Sequence, residues 1–200
     1  FVLPALAVLV LFRLWPVVYA SYISLHRWGL IQEDFVGLNN YTRLIGDERF
    51  WVSLGVTVWY VFATVPLTIA ISLVIAYMLF QKLIMRGAYR TIYFLPYITS
   101  LVAAAMVWQQ IFKTRTGVVN YVLSAVGIKD VKWLLEPRGL FELIGGAFGA
   151  TLPELLNGPS MALVAISIMS IWHFIGFDIV IFLAGLGNIN TELYEAARID

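Results

Sequence analysis

Four stretches of this chain, residues 1–25, 51–80, 91–112 and 161–183, are each mostly apolar over the roughly 20 residues a helix needs to cross a bilayer. That feature leaves few folds open. Backbone N–H and C=O groups cannot stay unpaired in lipid, so each stretch must be helical. The fold class is therefore all-α, a polytopic transmembrane helical bundle with four spans in these 200 residues. Composition agrees, because 12% of residues are charged and 61% hydrophobic, whereas a soluble domain carries about 25% charged residues. We read residues 1–200 as one transmembrane domain. Because the chain opens on Phe1 and stops at Asp200 within a polar helix, we expect a fragment lacking both termini.

Each span but the last carries proline: Pro4 and Pro16 in the first, Pro66 in the second and Pro96 in the third. A proline frees the carbonyl one turn earlier and allows a kink, although proline is also simply common in membrane helices. Between the spans, residues 26–50 form a short polar connection of mixed charge. Residues 81–90 hold Lys82, Arg86 and Arg90 with no acid, and residues 113–160 hold five basic residues. The dense basic loop 81–90 argues for the cytoplasm; the long connection dilutes that argument, because long loops translocate largely regardless of charge. Alternation then puts 81–90 and 184–200 on one side. Within the long connection, residues 139–152 are apolar and glycine-rich but too short to span. A re-entrant or interfacial helix fits that length, and so does a small external subdomain packed on the helices.

Polar groups inside the spans are the candidates for a pathway. Thr57, Tyr60, Thr64 and Thr68 fall on one face of the second span at steps of three and four. Such hydroxyls bond their own preceding carbonyls, join a neighbouring helix, or line a polar route. Ser167 and Asp178 share a face of the fourth span. Asp178 and Arg13 are ionisable groups inside spans, which cost at least about 2.5 kcal/mol unless paired or hydrated and so are functional candidates by default. A pair between them is one arrangement; a water-filled cavity for each, or snorkelling of Asp178 to the interface, are others. The two histidines, His26 and His173, have no ligand-spaced partner, which with zero cysteines gives no metal site and no disulfide. Neither a Ser-His-Asp grouping nor a phosphate-binding glycine loop is present, so no catalytic residue is assigned and no cofactor is expected within this chain. A net charge of +1 gives no support for a nucleic-acid partner.

After the fourth span, Gly185, Gly187 and Asn188 are expected to break the helix, and Asn190 to cap a new one from Thr191. Glu192 in its first turn suits the positive end of the helix dipole. Leu193, Ala196 and Ala197 make a small apolar strip, with Glu192, Glu195 and Arg198 beside it. A docking helix outside the membrane and a solvated helix lying on its surface both fit.

The residues 192–200, reading ELYEAARID, resemble the start of the EAA loop of permease subunits of type I ABC importers, in particular the carbohydrate group with maltose-type and glycerol-phosphate-type permeases. The likeness extends through residues 14–19 (LWPVVY) with Ser24, 35–41 (FVGLNNY), Arg86-Gly87, 90–96 (RTIYFLP), 133–137 (WLLEP), Trp172 and Gly176-Phe177. It implies a MetI-like permease fold of about six helices per subunit, in a bacterial or archaeal plasma (inner) membrane. It further implies a cytoplasmic coupling helix in which Glu195 contacts an ATP-binding cassette subunit while Ala196 and Ala197 allow a close seat. ATP would be bound by that partner; a second permease, a paralogue, and an extracytoplasmic solute-binding protein would complete the assembly. The cargo implied is a sugar, oligosaccharide, polyol or glycerol-phosphate. Two departures stand out: Asn190 replaces a frequent proline, and residues 138–160 look longer than usual. The rival readings are an importer permease for a non-sugar solute, an integral membrane enzyme built on Arg13, His173 and Asp178, and a structural scaffold that would leave the docking helix unexplained.

Overall fold

The computed structural model describes residues 2–29, 33–81, 86–128, 130–136, 138–151, 153 and 157–190. It divides into two compact units, residues 1–55 and 56–200, described in turn.

The first unit begins with a continuous apolar helix made of α1 (Leu3–Leu9), a π-helical segment (Val10–Leu14) and α2 (Trp15–Ser24). Pro4 sits in the first turn, where its missing N–H costs nothing, so it makes no kink. Pro16 acts differently. The N–H of Trp15 reaches back five residues to Val10 O, widening the turn just before the ring that cannot donate. A π turn of this kind lets a proline sit in a helix without breaking it. None of this helix is buried.

The polar connection that follows is more ordered than its sequence suggests. Strands β1 (His26–Trp28) and β2 (Glu33–Phe35) pair antiparallel, His26 opposite Phe35. Helix α3 (Asn39–Ile45) is tied to them by Asn40, whose Nδ2 donates to Ser24 O and His26 O at 2.9 Å each. Ser24 Oγ meets the Tyr41 hydroxyl at 2.6 Å. Gly37 supplies the left-handed turn between them at φ +57°. The indole of Trp51 then donates to Ile45 O at 2.7 Å, fastening the first turn of α4 (Glu48–Phe80) to α3.

The second unit holds the rest of α4, α5 (Arg86–Ile98), α6 (Leu101–Ile111), α7 (Val118–Ala125), α8 (Leu140–Ala147) and α9 (Met161–Gly187). Residues 91–112, expected as one span, are broken. Helices α5 and α6 meet at 95° across Thr99 and Ser100. Thr99 N–H closes a short turn on Pro96 O, and Ser100 is extended at ψ 127°. Short hydroxyl residues after a proline favour this kind of turn over helix. Among the described residues three helices are long and apolar enough to cross a membrane, Leu3–Ser24, Glu48–Phe80 and Met161–Gly187, and four crossings result if the bent pair counts as one.

Two apolar clusters brace the unit. Ala76 and Leu79 of α4 pack with Ile179 and Leu183 of α9. The second cluster joins Phe112, Trp133, Met161 and Ala165. Gly176 lets α9 approach α5 closely: a Cβ there would fall against the Tyr93 carbonyl oxygen and 3.0 Å from Phe94 Cα. The fourth helix ends at Gly187 with Asn188 as its cap, as expected, its N–H donating to Gly185 O, but it runs through Gly185, because a glycine in a packed helix costs only about 1 kcal/mol.

Residues 139–152 contain the short α8, bracketed by a bridge between Gly139 and Ser160 and by Leu140 N–H on Pro159 O at 2.8 Å. Leu140 and Leu143 pack on the second cluster, and Phe141 meets Trp59 edge-on at 5.6 Å. The short helix is thus packed on its neighbours. Nearby, Asn120 lies buried with three bonds: Nδ2 donates to Thr114 O and Val131 O at 2.8 Å, and its oxygen accepts from Trp133 Nε1 at 2.9 Å.

Candidate functional site

The polar stripe of α4 is real and longer than its sequence reading. Thr64 Oγ1 donates to Tyr60 O and Thr68 Oγ1 to Thr64 O, both at 2.7 Å, and Ser72 Oγ donates to Thr68 O. Each hydroxyl thus closes on the carbonyl four residues earlier, which satisfies it inside an apolar helix. Thr64, Thr68 and Ser72 are buried. The stripe also joins α9. The Tyr60 hydroxyl donates to Ser170 Oγ at 2.9 Å, and Ser72 Oγ reaches Ile175 O at 3.3 Å. Thr57, the fourth member of the expected stripe, is exposed.

Above these bonds the two helices leave a groove of about 540 Å³, lined by Tyr60, Thr64, Val65, Thr68 and Ile69 from α4 and by Ser170, Phe174, Phe177, Asp178 and Phe182 from α9. Its volume lies within the range of small-molecule sites. Thr64, Thr68 and Asp178 are brought together here. Asp178 is partly buried, and among the described residues its carboxylate has no hydrogen-bonding or ionic partner. Ser167 is elsewhere: it is buried, and its hydroxyl donates to Leu163 O at 2.8 Å. The shared face with Asp178 inferred from an eleven-residue spacing does not bring Ser167 to the groove lining. Arg13 stands on the π-helical segment of the first unit, exposed.

Sequence reading missed two contributors, Ser72 and Ser170. Ser72 continues the four-residue step from Thr64 and Thr68, a signal that was present. Ser170 carried none, because only the packing of α9 against α4 puts it opposite Tyr60.

An aromatic cluster adjoins the groove. Tyr97, in the last turn of α5 before the break, stacks on Phe177 at 4.8 Å between ring centroids. It also faces Phe174 at 6.4 Å and His173 at 6.1 Å. His173 is buried, and its Nδ1 has no hydrogen-bond partner among the described residues. Five residues separate His173 from Asp178, roughly 140° around a helix, so the two side chains leave α9 on different faces. They do not assemble the acid and base that an enzyme reading would require. Among the described residues no group of three or more His, Cys, Asp or Glu could hold a metal ion.

In the connection between α7 and α8, Glu136 and Arg138 form an ion pair at 2.8 Å. The hydrogen bond from Arg138 holds the Glu136 carboxyl below the usual glutamate range, and the same bond raises the guanidinium. Glu192, Glu195, Ala196, Ala197 and Arg198, the expected coupling residues, lie outside the described residues.

No protein-family model matches the chain. Curated relatives match along its whole length. It is 33% identical to the trehalose/maltose transport system permease protein MalF of Thermococcus litoralis over 201 residues, covering 100% of this chain and 61% of that protein. The lactose transport system permease protein LacF of Rhizobium radiobacter is 35% identical, covering 100% and 60%. The arabinooligosaccharides transport system permease protein AraP of Halalkalibacterium halodurans is 30% identical, covering 98% and 56%. The chain spans about three fifths of the length of these relatives. Among solved structures, a bacterial ABC transporter involved in import of the acidic polysaccharide alginate superposes with a TM-score of 0.66 at 24% identity, over 99% of this chain and 60% of that one. At that identity the likeness is one of fold. Helical throughout its spans, the chain is a multi-pass membrane protein, similar along its whole length to proteins described as ABC transporter permeases and folded like one.

Proposed function

We propose that the chain is the translocating core of a permease subunit in an ATP-driven importer of a carbohydrate, meaning a sugar, oligosaccharide, polyol or glycerol-phosphate. The observation that carries this reading is the similarity at 33–35% identity, over the entire chain, to permeases named for trehalose/maltose and lactose transport. The mostly apolar groove between α4 and α9, whose lining includes Tyr60, Ser170, Phe174 and Phe177, and the Tyr97 ring stacked on Phe177 support it. Hydroxyls with aromatic faces suit a cargo that hydrogen-bonds through its rim and stacks through its C–H faces.

In this reading the chain performs no chemistry and binds no cofactor. ATP is hydrolysed by ATP-binding cassette subunits, which contact residues 191–200 through Glu195, Ala196 and Ala197, together with Glu192 and Arg198. A second permease, a paralogue, completes the pathway in the plasma (inner) membrane, and an extracytoplasmic binding protein delivers the cargo. Closure of the ATPases rocks the helices between inward-open and outward-open states. The 95° break between α5 and α6 gives this motion a ready hinge, since Thr99 and Ser100 already lie outside helical geometry.

The test is ATP hydrolysis by the full-length assembly in proteoliposomes. Native protein should hydrolyse ATP faster when loaded binding protein is added, and Glu195→Ala should abolish that stimulation. Hydrolysis indifferent to binding protein and to Glu195→Ala in an intact assembly refutes the reading.

A further inference from the structure

Helix α5 runs antiparallel along α9, and three residues at helical steps of three and four mark the register. Tyr97 meets His173 and Phe177, and Tyr93 lies at Gly176. One turn earlier, Arg90 lines a cavity of about 400 Å³ with Val180, Leu183, Ala184, Gly187 and Asn188. The cavity therefore stands at the C-terminal end of α9, where the helix dipole is negative and where the last turn of α9 holds no basic residue of its own. Arg90 is exposed, and among the described residues its guanidinium has no hydrogen-bonding or ionic partner. A planar fork of five N–H donors is left open beside that end.

The chain supplies the counter-charge a few residues on. Residues 191–200 carry Glu192, Glu195 and Asp200 against the single base Arg198. Acids placed just past the negative end of a helix are unfavourable unless a cation stands beside them. Glu192 is the nearest, four residues after Asn188, so even a fully extended chain holds its Cα within about 14 Å of that cavity-lining residue. We propose that Arg90 seats the Glu192 carboxylate in a bidentate ion pair, tying residues 191–200 to α5 within the same chain. The functional part of the inference rests on the importer reading and refines it: Glu195 is left to face the ATPase, while Glu192 turns to its own subunit. The consequence is mechanical. Helix α5 ends at the 95° break with α6, so a displacement of residues 191–200 reaches that break directly, and Arg90 is a positioning residue for the transmission.

Charge exchange in the full-length protein tests this. Arg90→Glu and Glu192→Arg each set like charges together and should lower the unfolding midpoint in detergent, and the double exchange should restore it. Where a like-charge variant does not fold, Arg90→Gln and Glu192→Gln keep the test readable, because the losses from two partners of one pair do not add. In the assembly each single exchange should cut binding-protein-stimulated ATP hydrolysis at least about threefold, and the double exchange should return it to within about twofold of native. Combining Arg90→Glu with Glu195→Arg should rescue neither readout. A double exchange that unfolds no later than the worse single, or rescue through Glu195→Arg, overturns the pair. So does a loss from Arg90→Glu that appears only with added phosphatidylglycerol and is blind to residue 192, since the occupant is then a lipid headgroup. Rescue of unfolding without rescue of hydrolysis overturns the mechanical role. If native hydrolysis ignores the binding protein while the double exchange still restores unfolding, the importer reading fails and the ion pair stands.

Discussion

Replacing Gly176 with alanine puts one methyl group where α9 crosses α5. The Cβ would fall against the Tyr93 carbonyl oxygen, 2.8 Å from its carbonyl carbon and 3.0 Å from Phe94 Cα. All three are backbone atoms of a helix and cannot rotate aside, so the helices must separate. Overpacking of this kind costs about 1–3 kcal/mol, and a rigid backbone neighbour places Gly176→Ala near the top of that range. Against it stands the helix propensity of alanine, a gain of about 1 kcal/mol over glycine. The net expectation is a loss of about 2 kcal/mol. Gly185, nine residues on in the same helix, is the internal control. Nothing lies within 4 Å of its would-be Cβ, so Gly185→Ala should keep the gain of up to about 1 kcal/mol. The two variants should differ by about 3 kcal/mol with opposite signs. Thermal unfolding of the full-length protein in detergent measures this, with tryptophan fluorescence as the probe. The Trp172 and Trp108 rings meet at 5.6 Å next to the perturbed crossing. A Gly176→Ala protein as stable as Gly185→Ala would refute the close approach of α5 and α9.

Asn120→Ala removes all three bonds that staple the connection after α6 and leaves the Trp133 indole N–H unsatisfied. It should cost about 2–3 kcal/mol, visible as faster hydrogen exchange across residues 114–133 with α4 and α9 unchanged. For Glu136 and Arg138 the expected effect depends on pH. A carboxyl whose folded value is depressed adds stability above its ordinary titration range and loses it as pH falls through the folded value. Arg138→Gln should therefore lower stability slightly at neutral pH, since the Arg138 side chain is exposed, and match the native protein in strong acid; a difference that grew with acidity would refute the pair.

The apolar spans were legible because length and hydropathy alone determine them: α4 and α9 fall close to the stretches drawn from sequence. The break at Thr99 and Ser100 was not, because two small polar residues barely lower the hydropathy of a window, and it is their backbone geometry that turns the chain. The Thr64–Thr68 step was visible as a helical period, and the structure adds Ser72 to it. Placing Asp178 in the groove and Ser167 outside it required tertiary information. Ser167 and Asp178 stand about 20° apart on an ideal helical wheel but three turns apart along the axis, and the groove occupies only part of that length. The hairpin at His26–Trp28 and Glu33–Phe35 escaped notice because strands of three residues carry too little alternation to read.

The most direct measurement of the central claim is a crosslink. Full-length protein carrying Ala196→Cys, co-expressed with the proposed ATP-binding cassette subunit bearing a cysteine in the candidate docking cleft, should form a disulfide under mild oxidation, and the yield should change when ATP is added. A well-assembled complex in which that cysteine never crosslinks, with or without ATP, would contradict the claim that residues 191–200 couple this permease to an ATPase.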